Sequence, residues 1–169
     1  MQIEKTASFT GHRPGRLDGY DKNSPLNSEV RAFLRSAIER LKNEGYEYFI
    51  SGGALGVDQW AADIVLEMGL KLVIALPFAT YGENWLKPSQ DELSAQKEKA
   101  FKVHVVCEGP YAPWKNHERN KWMAENSSVV VAVWDWQGDG GTANAVRGAI
   151  ELSRRIIRYN PLTKHEEPV

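Results

Sequence analysis

Segments of strand and helix character alternate five times along this chain and a sixth strand closes the series, which predicts an α/β fold. Two further observations narrow this to a three-layer α/β/α sandwich around a mostly parallel sheet of about six strands. Residues 72–76 and 129–134 are apolar throughout rather than alternating, as strands covered on both faces are. Glycine-bearing loops at 11–13, 51–58 and 138–142 each come directly after a strand. Right-handed crossovers then make a doubly wound sheet the economical topology.

Residues 6–10 read as the first strand, which runs into Gly11, His12, Arg13, Pro14 and Gly15. Arg13 supplies a forked cation there, and Pro14 stops the strand. Residues 16–25 are polar and rich in turn formers. Asn27 or Ser28 can cap a helix whose Val30, Phe33, Leu34, Ile38 and Leu41 form one apolar stripe, with Gly45 as its stop. Residues 47–50 make the second strand. Trp60, Ile64 and Met68 then recur at helical spacing, and Gly69 ends that helix. Residues 72–76 form the third strand, ended by Pro77 and Phe78. The following loop, 79–87, carries Tyr81 and Trp85, either as a packed connection or as a lid that stacks on a base. Residues 89–101 favour a helix with Leu93, Ala100 and Phe101 toward the core, and 103–107 a fourth strand. A short helix at 116–125 offers Trp122 and Met123 for packing, with Asn126 as a left-handed cap. Residues 129–134 are the fifth strand, followed by a loop to Thr142. A helix over 143–153 places Val146, Ala149 and Ile150 on one side. Residues 156–159 read as an edge strand before a polar tail from about 161. No repeat or linker interrupts this order, so a single domain is expected.

Composition bounds the function. The 169 residues are 42% hydrophobic and 25% charged, enough for one domain with a real core. A formal charge of −1 gives no general attraction to nucleic acid or an anionic membrane, although a local basic patch stays open. The single cysteine, Cys107, excludes an internal disulfide and a cysteine-rich zinc site; its apolar neighbours mark an inert strand cysteine. His12, His104, His117 and His165 show no metal-ligand spacing. Residues 1–10 lack a signal peptide's apolar region, and the longest apolar run, 72–79, is too short to span a bilayer. A cytoplasmic protein without membrane association is therefore expected.

In doubly wound sheets a ligand sits beyond the carboxyl ends of the strands, where strand order reverses. All three glycine-bearing loops follow strands, so parallel topology alone gathers them at one edge. Around Ser51 and Ala54, the bare backbone of Gly52, Gly53 and Gly56 lets a ligand approach N–H groups. The next helix points its unpaired amino end at the same space. Gly140, Gly141 and Thr142 open another helix and make a second anion seat. With Gly11, His12 and Arg13 beside them, these seats imply a ligand with more than one phosphate, or a phosphate and a ribose. Asp58 either binds ribose hydroxyls or only complements its helix dipole. Pro77, Phe78 and Asp135, at the ends of their strands, complete the candidate set. Residues 52–56 lack the G-x-G-x-x-G spacing and 138–142 lack a Walker lysine, which argues against ATP hydrolysis of that kind.

Gly-His-Arg-Pro at 11–14, Ser-Gly-Gly-Ala-Leu-Gly-Val-Asp at 51–58, Arg119-Asn120 before Met123, and Asp-Gly-Gly-Thr at 139–142 together resemble the YpsA/YoqJ-like proteins of Bacillus and its phages. The resemblance covers nearly the whole chain. Those proteins belong to the SLOG superfamily, Rossmann-like domains related to the LOG phosphoribohydrolases and to DprA. It implies a Rossmann-like fold, binding of nucleotides or NAD-derived molecules such as ADP-ribose, and a phosphate-clamping role for Arg119 with Asn120 beside it. The LOG pattern places an arginine and a methionine on one helix, then a strand, then Pro-Gly-Gly-x-Gly-Thr-x-x-Glu. Arg119, Met123, Gly141 and Thr142 match it. The catalytic glutamate falls on Ala145, and Gln137-Gly138-Asp139 replaces the opening. Cleavage of a glycosidic bond needs a carboxylate, so Asp58 or Asp139 would have to serve.

The first expectation is thus a small-molecule nucleotide binder, acting as sensor or sequestering protein. The second is a nucleotide N-glycosidase with Asp58 and Arg119 as candidate catalytic residues. Single-stranded DNA binding of the DprA kind is third, and the near-neutral charge argues against it. No metal or certain cofactor is implied, and homo-oligomerisation or protein contacts through exposed tryptophans stay open.

Overall fold

In the computed structural model, which describes residues 1–169, seven strands form one sheet. They are β1 (Thr6–Gly11), β2 (Tyr48–Ser51), β3 (Lys71–Leu76), β4 (Lys102–Val105), β5 (Val129–Val133), β6 (Arg155–Asn160) and β7 (His165–Glu167). Their spatial order is β4-β3-β2-β1-β5-β6-β7. Every neighbouring pair is parallel except β6 and β7. The chain works outward from β1 to β4, then crosses back to place β5 on the other side of β1. Strand order therefore reverses between β1 and β5.

Helices cover both faces, so the three-layer α/β/α sandwich is the observed fold. On one side lie α1 (Pro25–Asn43), α2 (Val57–Glu67) and α3 (Lys87–Lys99), the last packed on α2; on the other lie α4 (Pro113–Glu125) and α5 (Gly141–Glu151). Strand side chains divide by parity. Ala7, Phe9, Phe49, Ile74 and Val131 meet the α1–α2 side, whereas Ile50, Val73, Ala75 and Ala132 face α4 and α5. The first side holds a cluster of 23 buried residues and the second two clusters of four, so the α1–α2 face carries most of the hydrophobic stability. The predicted α1 stripe is buried, each residue contributing roughly 1.5–3 kcal/mol.

The structure shifts several boundaries. The cap of α1 is Ser24, whose Oγ accepts the Asn27 amide at 3.3 Å, because Pro25 is suited to the first helical position. Asn27 instead turns inward, its Nδ2 donating to Gly19 O (3.0 Å) and Asp21 O (2.9 Å), which folds the polar loop against the helix. Strand β4 ends at Val105, so Cys107 lies beyond it. Phe101 is exposed, because it precedes an edge strand and packs edge-on against Tyr48 with Lys71 over its ring. Ile150 is exposed because the buried face of α5 runs through Ala143, Val146 and Ala149, one position off. Asn126 is not left-handed (φ −100°); its Nδ2 caps by donating to Trp122 O at 2.8 Å. Strand β6 is not an edge, since the tail returns as β7. Arg158 on β6 is fully buried there, its Nε donating to Trp134 O at 3.0 Å and its guanidinium 4.2 Å from the Trp136 ring centroid. No helix is long and apolar enough to cross a membrane.

Candidate functional site

A cavity of about 380 Å³ opens over the carboxyl ends of β1 and β5, where strand order reverses. Three segments build its wall: Gly11, His12 and Arg13 with the turn to Arg16; Ala54 and Asp58; and Gln137 and residues 139–143. Arg119 and Asn120 on α4 close it, and Phe9, Thr10 and Trp134 reach it from the strands. The predicted convergence of separate loops is thus what the fold produces.

The amino end of α5 is open. No side chain caps Gly140, and Gly140, Gly141, Thr142 and Ala143 all line the cavity, so the first N–H groups of this helix face it without intrahelical acceptors. The amino end of α2, expected to be the first anion seat, is closed. Gly56 (φ +89°) begins it, and a Cβ there would stand 3.0 Å from Pro14 Cδ and 3.1 Å from His12 O, so the first loop lies across this end. Asp58 on the first turn of α2 is 7% exposed and accepts the Ala54 amide at 3.3 Å. Burial raises its pKa above the ordinary value; the charges of Arg119 and Arg13 and the backbone donors act against that shift.

Several predicted ligand contacts are internal instead. Ser51 is fully buried, its Oγ donating to Asp58 O at 2.8 Å and accepting the Gly53 amide at 3.1 Å. Gly52 is glycine for a different reason from the one expected. A Cβ on it would stand 2.5 Å from Arg119 Nη1 and 2.7 Å from Asp58 Oδ2, so its absence admits these two side chains, not a ligand. Gly53 lies over Leu93 and Leu76. Arg119 is a brace. Its Nη1 donates to Gly52 O and, at 3.3 Å, to Ala75 O, while Nε donates to Asn120 Oδ1 at 2.9 Å. It joins the ends of β2 and β3 and lines the cavity only with what remains. Pro77 is outside the cavity, its carbonyl accepting the Cys107 amide at 3.2 Å. Phe78 belongs to a neighbouring cavity. Asp135 is buried behind the wall.

Asp135 organises the third loop. His12, 4% exposed, places Nε2 3.2 Å from Asp135 Oδ1, and the Asp135 amide donates to the same Nε2 at 3.4 Å when that nitrogen carries no proton. Arg16 Nη2 reaches Asp135 Oδ2 at 3.1 Å, and the Gln137 amide donates to Oδ1 at 2.9 Å. Burial pushes the His12 pKa down, against the pull of Asp135, with Arg16 adding to the decrease. For Asp135, burial acts upward but is outweighed by the Gln137 amide, His12 and Arg16, and its pKa is lowered. Arg16, Gln137 and Trp134 are site residues that sequence reasoning missed. Arg16 stands three residues from Arg13 in the same loop, a doubling of cations that was readable; nothing local marked Trp134. Ala145 lies outside this cavity, and the Asp139 side chain, 96% exposed, points to solvent near Arg147.

Comparison with known proteins agrees with this architecture. The model of the YspA SLOG family matches residues 7–160. The chain is 26% identical over 138 residues to a UPF0398 protein of Lysinibacillus sphaericus, covering 78% of this chain and 77% of that one. With a UPF0398 protein of Bacillus pumilus it shares 25% identity over 161 residues, 92% of this chain and 87% of that one. Among solved structures, DNA processing protein A (DprA) from Streptococcus pneumoniae superposes with a TM-score of 0.64 at 15% identity, over 92% of this chain and 50% of that one. The molybdenum cofactor carrier protein from Chlamydomonas reinhardtii gives 0.57 at 15% identity, over 95% and 80%. At these identities the two structures speak to the fold alone.

Proposed function

The chain belongs to the YspA SLOG family, and on that premise we propose that it binds a nucleotide or NAD-derived ligand, such as ADP-ribose, in the cavity between β1 and β5, as a sensor or sequestering protein. One observation carries this reading: the uncapped amino end of α5 shares a cavity with Arg13, which has no acceptor within the protein. Helix amides and a guanidinium together suit a phosphate. Trp134 lines the same space, and its buried indole Nε1 has no hydrogen-bond partner within the protein. Asp58 adds an acceptor suited to a ribose hydroxyl. Binding is favoured over N-glycosidic cleavage because position 145 carries no carboxylate and lies outside the cavity.

A thermal-shift screen of AMP, ADP, NAD and ADP-ribose tests the proposal. A ligand at a hundredfold its dissociation constant adds about 2.7 kcal/mol to stability. Arg13→Ala is expected to weaken that ligand by about tenfold or more, the worth of a charge-assisted contact. Indifference of the melting temperature to every phosphorylated compound would overturn the reading.

A further inference from the structure

A second cavity, of about 280 Å³, adjoins the first, and Arg13 lines both. Four aromatic rings line it, together with the polar Thr80, Glu83, Asn84 and Asn116. Tyr111, Phe78, Tyr81 and Trp85 form a continuous edge-to-face chain with ring centroids 5.7, 5.6 and 5.2 Å apart. Phe78, within this chain, is 7% exposed and Tyr111, at its end, 64%, so the chain is rooted in the fold and ends in an open ring. At Tyr81 it meets the first site, the Arg119 guanidinium lying 5.8 Å from the ring centroid.

Both sides of this cavity are held from within. Lys115, 4% exposed, donates from Nζ to Glu108 O and Pro110 O, each at 2.5 Å, which fixes the turn that carries Tyr111. Gln90 Nε2 donates to Glu83 O (2.6 Å) and Trp85 O (2.8 Å), fixing the facing loop. The Oδ1 of Asn116, a residue at this cavity, is buried with no hydrogen-bond partner. Aromatic rings held in place beside polar side chains suit a flat heteroaromatic guest, which stacks by its face and is read at its rim. The volume is too small for a whole dinucleotide, whereas the two cavities together fall within the ~300–1,000 Å³ of ordinary small-molecule sites.

We propose that this aromatic cavity receives the nucleobase of the ligand whose phosphate sits at α5, with Arg13 spanning the two parts. The inference rests on the phosphate-binding reading above. It assigns the open ring of Tyr111 as the stacking platform.

Calorimetry with AMP and ribose 5-phosphate, which differ by the base, tests it. AMP is expected to bind about 5- to 150-fold more tightly, the range of one base–aromatic stack. Tyr111→Ala should remove most of that advantage and leave ribose 5-phosphate unaffected. Tyr20→Ala, at an equally exposed tyrosine outside both cavities, should change neither. Ribose 5-phosphate binding as tightly as AMP, or an AMP advantage that persists in Tyr111→Ala and Trp85→Ala, overturns the base site while the phosphate reading stands. If neither compound binds, both proposals fall.

Discussion

His12 shows how single residues here serve the loops more than the ligand. Its imidazole is buried against Asp135 and stays neutral to lower pH than an exposed histidine, because burial disfavours the cation more than Asp135 favours it. The unfolded chain takes up this proton near the ordinary value, about 6.5, before the folded chain does. Stability from this residue is therefore complete above about pH 6.5 and is lost as pH falls toward the folded pKa. The slope for one proton is at most about 1.4 kcal/mol per pH unit. Burial also lowers the pKa of His104, so denaturation of the wild type alone mixes the two. Urea unfolding of wild type and His12→Gln between pH 7.5 and 5 separates them: the variant should lose less stability over that span. Equal losses would mean that His12 titrates as an exposed group. The same scale explains the misread serine and glycine. Ser51 and Gly52 looked like ligand contacts because their neighbours gave no other reason for a bare turn. The reason is Arg119, which reaches Gly52 from 67 positions along the chain, and no local pattern records that approach.

At the scale of elements, two glycine-led helices with the same sequence signal have opposite fates. The start of α2 is roofed by the first loop, whereas the start of α5 faces the cavity. Strand positions and apolar stripes were legible because period and burial are local properties, as in Val30 to Leu41 on α1. Which helix end stays open depends on how the chain between β1 and α1 folds back, and that is set by Asn27, Gly56 and Pro14 acting together. The open end allows a clean dissection of stability from binding. A Cβ on Gly141 would meet nothing within 4 Å, so Gly141→Glu starts its side chain without a clash at Cβ. Its carboxylate would complement the helix dipole by about 0.3–1 kcal/mol and occupy the anion seat. The variant should melt at or above the wild-type temperature while phosphate ligands bind at least about tenfold more weakly. Unchanged AMP affinity, measured by calorimetry, would move the phosphate away from α5.

Across the whole molecule, the alternation of strands and helices carried the topology, including the reversal between β1 and β5 that creates the cavity. What the alternation missed is β7, a three-residue strand in a polar tail, which becomes regular only by pairing with β6 over the buried Arg158. Charge is also a whole-molecule property, and it separates a nucleotide site from a nucleic-acid surface. The net charge is −1, and the arginines at the carboxyl edge of the sheet are few: Arg16 is already paired with Asp135 and Arg119 is spent on carbonyls. A polynucleotide held by Z phosphate contacts loses affinity with salt at a slope of about −0.7Z for a single strand. With Arg13 as the one unpaired guanidinium in the loop after β1, that slope should be about −1 or shallower for a single-stranded oligonucleotide. The oligonucleotide should then bind no more tightly than its own mononucleotide at moderate salt. Fluorescence anisotropy over a salt series measures both quantities. A slope steeper than about −3 would require a basic track along the surface, and would replace a cavity that holds one nucleotide with a groove that follows a strand.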